Sequence, residues 1–333
     1  MRRHLRYATA PDGTRIAWTS AGSGAPPVVL TDGIGCAGWI WTHLSPALAR
    51  RRRVLHWNYR GHGASAPPRD PARSTVDDCV TDLLTVLDAA GEERAVLAGH
   101  SMGVQIVLEA HRRAPDRVAG LILVCGAPGR LLDTFHDTDV LHRALPWVRT
   151  AIDRWPGLAR AGFRALVTAD VAMDYALAFE VNRALLRPDD LAPYFRDLSR
   201  VDPLLFVRLL ESAAEHDATD HLEAIRVPAL VIAGVRDGFT PMHLSTKMHE
   251  AIRGSELLVL PGGTHVGPLE HPDLVEARVL DFLARRVPAK RKARVRAARE
   301  AGPRRDAVPR KAARRRTRAA PAPRGGAPRR RRR

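Results

Sequence analysis

The chain is poor in cysteine. Cys36, Cys79 and Cys125 are the only three in 333 residues, too few and too scattered for a disulfide framework or a cysteine-ligated metal site. A reducing compartment suits them. It also lacks long hydrophobic runs: no stretch approaches the roughly 20 apolar residues of a membrane span, and the opening Met-Arg-Arg-His-Leu-Arg-Tyr is not followed by the apolar core of a secretory leader. A soluble, cytoplasmic protein is expected. No internal repeat is visible. Lysine is nearly missing, with 4 against 49 arginines, a bias that GC-rich codons would produce.

The net charge of +17 is unevenly placed. Residues 288–333 carry 20 Lys and Arg against only Glu300 and Asp306, for +18, and residues 1–287 hold 33 basic against 34 acidic side chains, for −1. The body is neutral. The tail is rich in Ala, Arg and Pro, ends in five arginines, and has too few apolar residues to offset the entropy of ordering, so a disordered tail is expected.

Within the body, strand-like runs recur at Ile16 to Thr19, Val28 to Thr31, Val54 to Trp57, Ala95 to Ala98, Leu121 to Cys125, Ala229 to Ala233 and Glu256 to Leu260. Helical patterns separate most of them, at Val76 to Ala90, Met102 to Arg113, Leu244 to Ile252 and Leu274 to Arg286. This alternation predicts an α/β fold with a mostly parallel sheet and helices on both faces. Arg6 to Thr9 and Arg15 to Thr19, around Pro11-Asp12-Gly13-Thr14, predict an edge hairpin. The long interval after Cys125 has no convincing strand and is punctuated by Pro146, Pro156, Pro188 and Pro193, which should break its helices. Residues 129–200 are therefore expected to be an inserted helical cap, Val201 to His216 an ordinary helix, 1–128 with 201–287 the core, and 288–333 the tail.

Gly99-His100-Ser101-Met102-Gly103 fits G-x-S-x-G and stands between a short apolar run and an amphipathic one. A strand turning this sharply into a helix leaves room only for small flanking residues and lifts the Ser101 hydroxyl clear of the sheet. The amides behind it lie at a helix N-terminus, where developing negative charge is favoured. A serine hydroxyl also needs a base within reach and a third group to orient that base. His265, in Pro261-Gly262-Gly263-Thr264-His265 after the last strand, is the candidate base. Asp237, in the turn after the preceding strand, is the candidate acid, with Asp133 as a rival after the strand that ends at Cys125. Oxyanion donors would be the backbone N–H of Met102 and, from the loop Asp32-Gly33-Ile34-Gly35, that of Ile34.

From about Tyr7 to Arg286 the chain resembles the α/β-hydrolase superfamily, in its serine-nucleophile, esterase-like form with a helical cap. The resemblance rests on the Asp32 to Gly35 loop, Tyr59-Arg60-Gly61-His62-Gly63-Ala64-Ser65, the elbow, Asp237 and His265, in the nucleophile, acid, base order of that family. It implies an acyl-enzyme mechanism on a small-molecule acyl substrate, and no metal or organic cofactor. In two places the chain departs from the family. Asp32 stands where a histidine is usual, and is expected to turn away and accept loop amides as an Asx turn. Val104 replaces a small residue after the elbow.

Trp39 and Trp41 suit either a pocket wall or the core, and His62 a structural role. Tyr175 and Tyr194 lie in the cap, but a serine nucleophile argues against epoxide hydrolysis and dehalogenation. Three functions stay open. The first is cleavage of an ester, thioester or amide; the second is carbon–carbon bond hydrolysis or perhydrolysis on the same three residues. In the third, the basic tail binds nucleic acid or another polyanion through counterion release, without aromatics for stacking. Oligomeric state cannot be read from the sequence.

Overall fold

The computed structural model describes residues 4–130, 140–186 and 188–289. Contacts divide the chain into two units, Met1–Lys292 and Ala293–Arg333, and every described residue belongs to the first. The expected tail disorder and Asp133 lie outside the described residues.

Eight strands form one sheet: β1 (His4–Thr9), β2 (Arg15–Ala21), β3 (Val28–Thr31), β4 (Val54–Trp57), β5 (Ala95–His100), β6 (Val118–Val124), β7 (Ala229–Gly234) and β8 (Glu256–Leu260). Their order is β1-β2-β4-β3-β5-β6-β7-β8. The β1–β2 and β2–β4 pairs are antiparallel and all others parallel, so the expected edge hairpin and parallel sheet are both present. The loops that follow β3, β5, β7 and β8 consequently leave from one edge of the sheet, where open parallel sheets bind ligands.

Side chains alternate across the sheet with period two. On one face Val29, Leu55, Leu97, Leu121 and Val231 pack under α2 (Val76–Ala89) and α3 (Met102–Arg113). On the other, Leu30, Val96, Ile122 and Ile232 pack under α1 (Leu44–Ala49) and the C-terminal helix Pro272–Arg286. Helix α2 begins with a capping box in which Thr75 and Asp78 satisfy each other's backbone N–H. Helix α3 ends on His111, Arg112 and Arg113, the favourable sign for its dipole.

Between β6 and β7 the described residues form no strand; besides one isolated antiparallel bridge pairing Gly129 with Asp217, the elements are α4 (Val140–Arg154), α5 (Pro156–Thr168), α6 (Asp170–Tyr175), a π-helical turn (Ala176–Glu180), α7 (Pro188–Leu198), α8 (Pro203–Glu215) and a 3-10 turn (Thr219–Ala224). The expected proline breaks are half right. Pro156 and Pro188 open helices, where a missing N–H costs nothing, but Pro146 and Pro193 lie inside α4 and α7, each helix forgoing one bond. The crossover is pinned where it leaves and returns. Arg130 N–H donates to the His216 carbonyl and Ala218 N–H to that of Pro128, both at 3.0 Å. The chain closes with α9 (Met242–Ala251), α10 (Gly267–Glu270) and α11 (Pro272–Arg286).

Candidate active site

Ser101 stands between the last residue of β5 and the first of α3, with φ 55° and ψ −123°. A side-chain-bearing residue holds this left-handed geometry only when its surroundings over-determine it. Here the Ser101 N–H donates to the Val124 and Cys125 carbonyls, each at 3.1 Å. The flanking glycines are sterically required: a Cβ on Gly99 would stand 2.3 Å from the Gly103 carbonyl oxygen, and one on Gly103 2.6 Å from the carbonyl oxygens of Thr31 and Asp32. Val104 is accommodated because its neighbour is Gly126, where a Cβ would come within 2.4 Å of its methyl. Met102 opens α3, which places its amide at the helix N-terminus.

His265 and Asp237 meet. The His265 Nδ1–H donates to the Asp237 carboxylate, with both oxygens at 3.0 Å. That carboxylate also accepts the backbone N–H groups of Phe239 (3.0 Å) and Thr240 (2.8 Å) on one oxygen and the Thr240 hydroxyl (2.8 Å) on the other. Burial pushes the Asp237 carboxyl up, but the charge of His265 and the bonds from its ring and from Thr240 outweigh this and hold it below its ordinary value. With Nδ1 committed, Nε2 is the ring nitrogen left to accept a proton. The Phe239 ring packs 4.8 Å from that of His265.

The oxyanion loop corrects one expectation. Asp32 does turn away, since it is not among the residues lining the cavity described below, but it makes no Asx turn. Its Oδ2 is bonded to His56 Nε2 of β4 at 2.7 Å, and its Oδ1 has no partner among the described residues. The Tyr59 hydroxyl donates to the Asp32 carbonyl. The loop is thus anchored from the adjacent strand and the turn that follows it, through contacts 24 and 27 residues away. Ile34 faces the cavity.

That cavity, of about 590 Å³, brings Ser101, His265, Gly33 and Ile34 together with residues of α5 to α7. The size suits a small organic molecule, for which roughly 300–1,000 Å³ is usual. Of the paired tryptophans, Trp39 is in its wall, with its indole N–H donated to the Asp190 carbonyl of α7, whereas Trp41 is core. Tyr175 and Tyr194 also line it. His62 does not: it is buried, donates from Nδ1 to the Arg60 carbonyl at 3.0 Å and packs on Tyr59.

Sequence reasoning missed two supports. His100 donates from Nε2 to the His265 carbonyl at 2.9 Å, and the two rings lie 4.9 Å apart. Buried Glu270 accepts the Thr264 N–H (2.7 Å) and hydroxyl (2.8 Å) and the Asn182 N–H (2.7 Å), which fixes the residue before His265. The histidine inside the elbow motif was the only hint of the first, and nothing local pointed to the second.

A serine raised on an elbow, a carboxylate-held histidine and one shared cavity, all at the carboxyl edge of a mostly parallel sheet, define a class. The chain belongs to the alpha/beta hydrolase fold family, which matches residues 26–272. It is 32% identical over 280 residues to the polyketide synthase ThaQ of Burkholderia thailandensis, covering 82% of this chain but only 12% of that much longer protein. It is 29% identical over 259 residues to a protein of Azorhizobium caulinodans named "Putative carbamate hydrolase RutD", covering 77% of this chain and 90% of the other. Among solved structures, the enol-lactonase from Burkholderia xenovorans LB400 superposes with a TM-score of 0.69 at 26% identity, covering 84% of this chain and all of that one.

Proposed function

We propose that the chain is a serine hydrolase that cleaves an ester or related acyl bond of a small molecule through an acyl-enzyme. The observation that carries this is the His265–Asp237 bond at 3.0 Å beside a strained Ser101 that walls the same cavity. Ser101 Oγ attacks the carbonyl carbon while His265 Nε2 takes its proton. Asp237 holds the imidazole in the required tautomer and stabilises the imidazolium. The Ile34 and Met102 amides receive the oxyanion. His265 returns the proton to the leaving group, and water repeats the sequence to release the acid.

In this proposal residues 129–200 form the cap and supply most of the substrate pocket, and the compartment is the cytoplasm. The hydrolases among the relatives support hydrolysis in general. Their named carbamate and enol-lactone chemistries are both acyl transfers to water, which the same groups can perform. The test is Ser101→Ala, which should lower ester turnover on the order of 10⁴ to 10⁶-fold, because only binding and oxyanion stabilisation survive loss of the nucleophile. More than a tenth of wild-type turnover in the purified, folded variant would remove Ser101 from the mechanism.

A further inference from the structure

Resting on the serine-hydrolase proposal, we infer that the cavity selects esters whose acyl chain is neutral and apolar, and that Glu180 is the residue that turns away an anionic one. Around Ser101 the wall is carbon: Trp39, Leu191, Tyr194, Phe195, Leu198 and Phe239 all face the cavity. The rings of Trp39 and Tyr194 lie 5.3 Å apart, and those of Tyr194 and Phe195 5.4 Å, so one side is a continuous aromatic surface.

The entrance has the same character. Leu166, Val171 and Tyr175 line the cavity and are at the same time 60%, 64% and 51% exposed. Residues that touch both the interior and solvent mark the mouth, and here they belong to α5 and α6. A substrate therefore leaves water past apolar side chains and continues among them.

Charge is distributed to match. No lysine or arginine lines the cavity among the described residues. The one carboxylate in the wall among the described residues is that of Glu180, at the end of the π-helical turn and hydrogen-bonded to Tyr175. A buried acceptor in the wall points the same way: His100 Nδ1 faces Gly33, where a Cβ would stand 3.0 Å from it, and it has no hydrogen-bond partner among the described residues. A carboxylate on the substrate would lose its hydration, meet no countercharge and face Glu180. A hydrocarbon chain loses nothing polar and gains burial. At the usual value of a buried methylene, each one added should raise affinity about fourfold until the cavity is full.

The experiment compares p-nitrophenyl esters of acetate and hexanoate with two chains of hexanoate length, one ending in a carboxylate (the adipate monoester) and one in an ammonium (the 6-aminohexanoate). Wild-type kcat/KM is measured alongside Kd for Ser101→Ala, which binds without cleaving. Hexanoate should exceed acetate by about fourfold per added methylene and exceed the carboxylate chain on the order of a hundredfold, because a charge buried without a partner is costly, with the ammonium chain, which can meet Glu180, falling between the two. Glu180→Lys should raise the carboxylate-to-neutral ratio at least tenfold, and Glu180→Gln should raise it less, which keeps the test intact if the lysine variant does not fold. Acetate as good as hexanoate, the carboxylate chain within tenfold of the neutral one, an ammonium chain that does not fall between them, or a ratio that neither variant moves would overturn the inference. Failure of the two proposals looks different. The expected Kd ranking with no cleavage by wild type sinks the serine mechanism alone, while serine-dependent cleavage without the ranking sinks the selectivity alone.

Discussion

Glu270 holds Thr264 twice, taking its amide on one carboxylate oxygen and its hydroxyl on the other, and the next residue along the chain is His265. Because the same carboxylate also accepts the Asn182 N–H, it ties the histidine loop to the segment that follows the π-helical turn. Three donors converge on one buried acceptor. Glu270→Gln replaces one of those oxygens with an NH₂ that meets a donor, which should cost about 1–3 kcal/mol of stability. A displacement of His265 should also lower kcat on the order of tenfold with little change in KM, since small misplacements of a reacting group act on the transition state. Urea unfolding and steady-state kinetics on the same preparation check both halves. An unchanged kcat in a destabilised variant would make the clamp purely structural.

Asp237 is the acid in the proposed mechanism, and its removal separates it from Asp133. Asp237→Asn should lower kcat roughly 10³ to 10⁴-fold, as loss of the orienting carboxylate misdirects the histidine tautomer, whereas Asp133→Asn should stay within a few-fold of wild type. The reverse ranking would move the acid to the segment after β6.

How much of this was legible beforehand follows from how far apart the interacting residues lie. Ser101 could be found because the glycines and the strand-to-helix switch that mark its turn are within five residues, even though the Val124 and Cys125 carbonyls that hold its N–H come from the end of the next strand. The β3, β4 and β8 boundaries, and those of α3, are as periodicity implied. Asp32 misled because its partner, His56, comes from the neighbouring strand, and an isolated Asp before Gly reads as a local turn. Glu270 was invisible for the same reason, with one donor 88 residues away. Trp39 and Trp41 occupy one 3-10 turn, Trp39–Trp41, yet only the packing of α7 decides which faces the cavity. The cavity's shape depends on how α5 to α7 are set against the sheet, and no periodicity encodes that.

Acid should destabilise the fold through its buried histidines. Burial, with the charge of His265 added, lowers His100 to about 3. Between pH 6.5 and 3 the unfolded chain therefore binds a proton that the folded chain refuses, so stability rises with pH across this window and is lost as pH falls through it. At pH 5 this group alone removes about 2 kcal/mol relative to neutral pH, at 1.36 kcal/mol per pH unit below an ordinary histidine value. His111, bonded to His221 at 2.8 Å and lowered to about 4 by burial and that neighbour, acts in the same direction. Urea midpoints at pH 7 and pH 5 should show His100→Gln losing less between the two than wild type. Equal losses would mean that His100 takes up its proton in the folded state.

The basic extension can be tested apart from the body. Among the described residues the last to line the cavity is Val266, and α11 ends at Arg286, so deleting residues 288–333 removes none of the proposed catalytic or binding groups. Catalytic constants on a small neutral ester should remain within about two-fold, since every proposed catalytic group is kept. The deleted segment carries +18 and the remaining body −1, so any binding to DNA, RNA or anionic surfaces should disappear with it. In the full chain that binding should weaken steeply with added salt, as release of condensed counterions requires. Filter binding at two salt concentrations, with ester kinetics on both proteins, makes the comparison. Polyanion binding that survives truncation would place a basic site on the body, and a collapse of esterase turnover would show that the extension takes part in the enzyme.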